Sequence, residues 1–183
     1  MTPIRMNPTL RDKPGPCRRR RPFWGLLGPL LLAAGLCLVP AANAETPAKA
    51  RVFRIFDGDS FLARDRGRSY RVRIHGTDAP ELDQPHGDAS LQILEKMIRG
   101  KRVRVEAVGE AVEGYQAAHV HWEDYDIGAE LVRTGAAWAL PGDDERAQQL
   151  AALEQEAREQ RRGLWADTPA MPPWEWRGRA ESE

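Results

Sequence analysis

The chain has 183 residues, with 27 Lys and Arg against 27 Asp and Glu, and only two cysteines. Seven basic residues and one acidic residue fall before position 45, so residues 45–183 hold 20 basic and 26 acidic side chains, a net charge near −6. Cys17 and Cys37 also lie in the first segment, which excludes a disulfide framework or thiolate metal site from the rest, and the acidic balance does not suit a non-specific binder of polyanions.

The first 44 residues read as an export signal. Arg18-Arg19-Arg20-Arg21 is a basic n-region, Phe23 to Val39 is an apolar run, and Ala42-Asn43-Ala44 is a small-residue cleavage site. Cleavage is predicted after Ala44, leaving Glu45 as the new N-terminus. An uncleaved membrane anchor is the alternative, because a run of about 17 apolar residues sits at the lower edge of what spans a bilayer. Leu36 precedes Cys37 where a lipoprotein signal needs a small residue. The expected location is therefore the periplasm or the exterior, with no stable membrane association after cleavage. Residues 45–168 form one predicted domain, large enough to bury a core without staples. Residues 169–183 form a tail rich in Pro, Trp and charge, expected to pack locally through Trp174 and Trp176 and then fray.

Short strands come first. Val52 to Phe56 and Ser60 to Ala63 flank an Asp57-Gly58-Asp59 turn. Ser69 to His75 alternates, with Tyr70, Val72 and Ile74 on one face and Arg71, Arg73 and His75 on the other. Asp88 to Arg99 carries an apolar stripe and stops at Gly100, which predicts a helix. Lys101 to Val108 alternates again, and Ala117 to Trp122 is a weaker fifth strand. Asp126 is a predicted N-cap for a short helix ending at Gly135. The last helix opens at Asp143-Asp144-Glu145 and closes at Arg161-Arg162, the charge order that the helix dipole favours. The expected fold is α+β, a five-stranded OB-fold β-barrel with three helices.

The chemistry-bearing residues cluster at two turns. Asp59 and Asp78 are candidate ligands for a hard cation, and a site of irregular oxygen donors suits Ca²⁺. Glu81 is placed to orient or deprotonate a water, and Arg73 to balance charge on a phosphoryl oxygen. The plain alternative is that Asp57 and Asp78 are ordinary turn residues and Arg73 a solvated strand residue. His119 and His121 share a strand face, which admits a histidine-assisted metal site but fits a solvated face better. Trp122, Trp138 and Trp165 read as packing residues.

These residues resemble the thermonuclease (staphylococcal nuclease-like) family over roughly Arg51 to Trp176. Val52-Phe53-Arg54-Ile55-Phe56-Asp57-Gly58-Asp59-Ser60 is similar to the family's V-x-x-V-x-D-G-D-T, and Tyr70 to Glu81 to its V-R-L-x-G-I-D-A-P-E. Gln84 to Ala89, Ala129 to Trp138, Arg162 to Trp165 and Pro172 to Arg177 supply further ordered matches. The resemblance implies an OB-fold and Ca²⁺-dependent cleavage of DNA and RNA, single-stranded forms included, by in-line attack of water on phosphorus. It further implies Asp59, Asp78 and the Ala79 carbonyl as metal ligands, Glu81 as base and Arg73 as the first transition-state arginine. The expected state of the chain is a monomer. The family's D-x-Y-G-R is absent. Glu110 to Ala118 stands in its place, with Tyr115 or Gln116 at the arginine position as a neutral substrate contact. Two functions follow: an impaired exported nuclease, or a degenerate nuclease-like domain that binds a ligand or partner without chemistry.

Overall fold

In the computed structural model the described residues are 48–166 and 170–180. The export signal expected over residues 1–44 lies outside them. All described residues belong to one unit, Asn43–Glu183. Among the described residues no helix is long and apolar enough to cross a membrane.

Alternation of apolar and polar residues builds the sheet. Strand β1 (Ala48–Ile55), β2 (Ser60–Asp65), β3 (Arg68–Ile74), β5 (Arg102–Ala107) and β6 (Tyr115–Trp122) bury Val52, Phe61, Val72, Val103 and Val120 inward. They run in the order β3-β2-β1-β5-β6, and a parallel pairing of β3 with β6 closes the barrel. Every pairing in the ring except this closing one is antiparallel. The two-residue strands β4 (Thr77–Asp78) and β8 (Trp138–Ala139) form a separate ladder, and β7 (Tyr125–Asp126) extends β6. This is the expected OB-fold barrel.

Strand β1 begins earlier than the sequence predicts because it serves two neighbours. Its first half pairs with β5 from Ala48 to Arg51, and its second half pairs with β2 from Arg51 to Ile55. A bulge between Val52 and Arg54 lets the strand bend from one partner to the other. Strand β6 likewise starts at Tyr115 rather than at 117, since Tyr115 and Gln116 register with Arg71 and Val72 in the closing pair.

The helices are α1 (Gly87–Ile98), α2 (Ile127–Arg133), α3 (Glu145–Glu159) and α4 (Pro173–Ala180). The first three are those expected. Asp126 and Asp144 cap α2 and α3, accepting from the Ala129 and Ala147 amides at 3.1 and 2.7 Å. Leu94, Ile98, Ile127 and Leu131 pack onto the open end of the barrel with no exposed surface worth noting; truncating one such leucine to alanine costs about 2–5 kcal/mol. The fourth helix is a correction. The tail, expected to pack locally through Trp174 and Trp176 and then fray, forms α4: Pro173 is buried, Trp174 packs edge-on against Trp138 at 6.4 Å, Trp176 donates to Asp83, and Gln84 Nε2 donates to the Met171 carbonyl at 2.5 Å.

Candidate active site

The Asp57-Gly58-Asp59 turn is held by its first residue. Asp57 accepts from the Asp59 amide at 3.0 Å and from the Ser60 hydroxyl at 2.7 Å, so Asp57 does turn chemistry and Asp59 is released to point inward. Gly58 is required by a close approach: a Cβ there would lie 2.5 Å from the Ser90 hydroxyl and 2.7 Å from the Ala79 Cβ. Ser90 in turn donates to the Ala136 carbonyl, which ties α1 to the segment after α2.

Asp59 is buried, and its carboxylate accepts from the Ala79 amide at 3.1 Å. Burial pushes its carboxyl well above the usual carboxylate range; neighbouring Asp57 adds to this, while Arg73 and the Ala79 amide oppose it. Arg73 Nε lies 3.9 Å from the other Asp59 oxygen, with its side chain half exposed. Strand β4 places Asp78 beside them, fixed by pairing with Trp138 and by the Thr77 hydroxyl donating to the Ile74 carbonyl at 3.1 Å. Glu81 follows in a turn whose amide donates to Gln84 Oε1 at 3.2 Å. Gly87 closes over that turn, so near that a Cβ would come within 2.0 Å of the Glu81 carbonyl oxygen.

Arg177 of α4 is the residue that sequence reasoning missed. Its Nη1 donates to Asp78 Oδ1 at 3.2 Å and to Glu81 Oε1 at 2.6 Å, and its Nη2 donates to Asp78 Oδ2 at 2.8 Å. The hydrogen bond to Asp78 above all, joined by that to Glu81, holds the guanidinium more firmly protonated than usual and outweighs the opposing effect of burial. Arg73, Asp78 and Arg177 line one cleft of about 510 Å³, whose remaining wall includes Leu140, Pro141 and Trp174. The only sequence-level signal was Arg177's place at the end of the Pro172 to Arg177 match.

A family model described as staphylococcal nuclease homologue matches residues 71–167, more than half of the chain. The chain belongs to the staphylococcal nuclease family. An uncharacterized endonuclease of Escherichia coli is 35% identical over 130 residues, covering 70% of this chain and 84% of that protein. Protein ParB of Escherichia coli is 33% identical over 155 residues, with 79% and 88% covered. A staphylococcal-like nuclease of Arabidopsis thaliana is 34% identical over 122 residues, which span 67% of this chain but 36% of the plant protein. The family span ends before α4, so Arg177 reaches the carboxylates from outside the matched region.

Staphylococcal nuclease homologues generally need a divalent metal. Here the donor chemistry fits one: Asp59 and Asp78 offer only oxygen, and a cation would relieve the buried Asp59 carboxylate crowded by Asp57. Among the described residues no three His, Cys, Asp or Glu side chains gather into a cluster able to hold an ion, so the fit rests on this pair with backbone oxygen and water. Arg177 competes for Asp78 from the cleft side.

The other sequence-level candidates separate clearly. Tyr115 lies at the site's edge, with the Arg71 and Arg73 guanidinium carbons 5.5 and 4.9 Å from its ring centroid. Gln116 turns away, its amide donating to the Gly109 and Ala117 carbonyls at 3.1 and 3.0 Å. His119 meets His75 at 3.3 Å, whereas His121 lies 3.9 Å from Asp126. Burial, then Arg146 and His75, lowers the His119 pKa below the ordinary histidine value, with Asp126 and Glu106 opposing. Burial raises the Asp126 carboxyl, but its hydrogen bonds from Arg146 and the Ala129 amide outweigh that and leave it low. These groups tie α3 to the barrel. Trp138 is buried and packs edge-on against Trp165 at 5.3 Å, as a structural residue does.

Proposed function

We propose that this chain is an exported phosphodiesterase that hydrolyses DNA or RNA by in-line attack of water on phosphorus. The observation that carries the reading is that Arg73 reaches Asp59, Arg177 bridges Asp78 and Glu81, and Arg73, Asp78 and Arg177 line one cleft. Asp59, Asp78 and the Ala79 carbonyl are the groups that would hold a Ca²⁺ ion, which when bound polarises a phosphoryl oxygen and makes water a better nucleophile. Glu81 orients the water and takes its proton. Arg73, half exposed beside the cleft, balances charge that develops on the phosphoryl oxygens.

The family's second arginine is absent between Glu110 and Ala118, where Tyr115 offers a neutral ring instead. Loss of such a charged contact commonly costs on the order of 10²-fold in rate. Arg177 supplies a second guanidinium to the same cleft, and its unused N–H groups remain for a phosphate. Residues 1–44 direct export, so the protein acts in the periplasm or outside the cell, as a monomer.

One observation favours a second reading. Arg177 holds both Asp78 oxygens and one of Glu81's, which is how a retired site would neutralise leftover carboxylates. Incubation of the purified 45–183 chain with denatured DNA and Ca²⁺ decides between them. The enzyme reading expects EDTA-sensitive cleavage that is lost in Glu81→Ala. Wild type and Glu81→Ala equally inert over a long incubation would leave the binding module as the function.

A further inference from the structure

The acidic balance of residues 45–183 hides a sharply uneven distribution. Residues 49–73, which build β1, β2 and β3, hold eight Lys and Arg against three Asp; the remainder of 45–183 holds 12 basic and 23 acidic residues. Two of the three aspartates, Asp57 and Asp59, belong to the turn already described. The positive charge therefore concentrates on the outer face of three neighbouring strands.

Register puts the arginines in rows across the sheet. Arg54 of β1 faces Leu62 of β2, Leu62 faces Arg71 of β3, and Arg71 faces Tyr115 of β6. Phe56 lies between the first two guanidiniums, with both Arg54 and Arg71 5.4 Å from its centroid. Tyr115 lies between Arg71 and Arg73, which brings the row to the edge of the cleft. A second row pairs Arg51 with Arg64, and their guanidiniums lie 6.0 and 4.6 Å from the Phe53 centroid. The β1 bulge makes this second row: it turns both Phe53 and Arg54, adjacent in sequence, to the outer face, and leaves Phe53 48% exposed.

Clustered guanidiniums repel one another, and an exposed phenylalanine among them buries little. Alternating cations and rings on the exposed outer face of a barrel suit a flexible polyanion whose planar groups are free to stack. We infer that this face is a binding track for single-stranded nucleic acid, running from the Phe53–Arg64 row past Phe56 and Tyr115 to Arg73 and the cleft. Phosphates lie on the arginines, and unpaired bases stack on Phe53 and Tyr115. A duplex fits poorly because its bases are already stacked on each other. From Tyr115 to Arg54 there are three inter-strand steps, roughly 14 Å at about 4.8 Å each. The inference deepens the nuclease reading by naming where its substrate strand lies, but it does not need the chemistry to occur.

The test is fluorescence anisotropy of the 45–183 chain with a labelled oligothymidylate about 12 nucleotides long, within the ~4–16 nucleotide range of OB-fold sites, in EDTA so that nothing is cleaved. Arg64→Gln and Arg54→Gln should each weaken binding and lower the slope of log K against log salt by about 0.7. Phe53→Ala should weaken binding roughly 10-fold with little change in slope, and Phe53→Leu should do the same if Phe53→Ala fails to fold. Arg99→Gln, at the C-terminal cap of α1 where the guanidinium pairs with Glu95, should change neither. Absence of oligonucleotide binding, wild-type affinity in the Phe53 and Arg64 variants, equal affinity for a duplex of the same length, or tighter binding to anionic phospholipid vesicles would each overturn the inference. If these variants bind normally while Ca²⁺-dependent cleavage persists, the track fails and the nuclease reading stands. If wild type never cleaves but binding depends on Phe53 and Arg64, the reverse holds.

Discussion

Arg177→Ala tests whether α4 is part of the site. In the folded chain the guanidinium forms a fork on Asp78 and a third bond to Glu81, with side-chain exposures of 46%, 15% and 35% for Arg177, Asp78 and Glu81. Exposed ion pairs are worth about 0–1 kcal/mol, because water screens them and long side chains lose freedom. Here the geometry is bidentate and Asp78 is mostly buried, which places this pair at the upper end and adds the cost of leaving Asp78 unpaired. The expected loss is about 1–2 kcal/mol, or roughly 3–7 °C in melting temperature for a domain of this size. Thermal unfolding followed by circular dichroism measures it, with Asp78→Asn and the double variant completing a cycle whose coupling should be about 1 kcal/mol at low salt and smaller near 1 M salt. Arg177→Lys should restore less than half, since an ammonium cannot reproduce the fork. An unchanged melting temperature together with strict additivity in the cycle would refute the docking of α4 on the carboxylates.

Other outcomes follow from the same geometry. Gly87→Ala should destabilise the fold by about 1–3 kcal/mol and lower any nuclease rate at least 10-fold, because a Cβ 2.0 Å from the Glu81 carbonyl oxygen forces that turn to move; an active, fully stable variant would contradict it. His119 has a folded pKa below its unfolded value of 6.5, so the fold prefers neutral imidazole. Its contribution to stability is therefore constant above about pH 6.5 and declines as pH falls from there through the folded pKa. Urea midpoints between about pH 5 and 8 should show His119→Gln losing less stability on acidification than wild type, and parallel curves would exclude the effect. Asp144→Ala removes the 2.7 Å cap on the Ala147 amide and should cost about 0.5–2 kcal/mol in chemical denaturation; no loss would mean the cap is replaced by water.

Much of the fold was legible because its signals are local. The alternation of Tyr70, Val72 and Ile74 against Arg71 and Arg73 defines β3 from the side-chain period of a strand alone, and Asp126 and Asp144 mark helix starts because a short acceptor caps the amides that follow it. The Asp57-Gly58-Asp59 turn was legible too, although only the fold separates its two carboxylates: Asp57 bonds the turn and Asp59 is buried beneath Ala79. The bulge that exposes Phe53 and Arg54 together follows from β1 changing partners midway, a demand of barrel closure that no local pattern encodes.

Sequence by itself determined the barrel, its three leading helices and the carboxylate-bearing turns, since propensity, period and capping act within a few residues. Tertiary structure alone decided that Arg177 closes on Asp78, 99 residues away, that His119 meets His75 rather than His121, and that the net acidic stretch 45–183 carries a basic, ring-studded face. Contacts of that kind depend on which surfaces the folded barrel brings within a few ångströms, where charge and shape act across space.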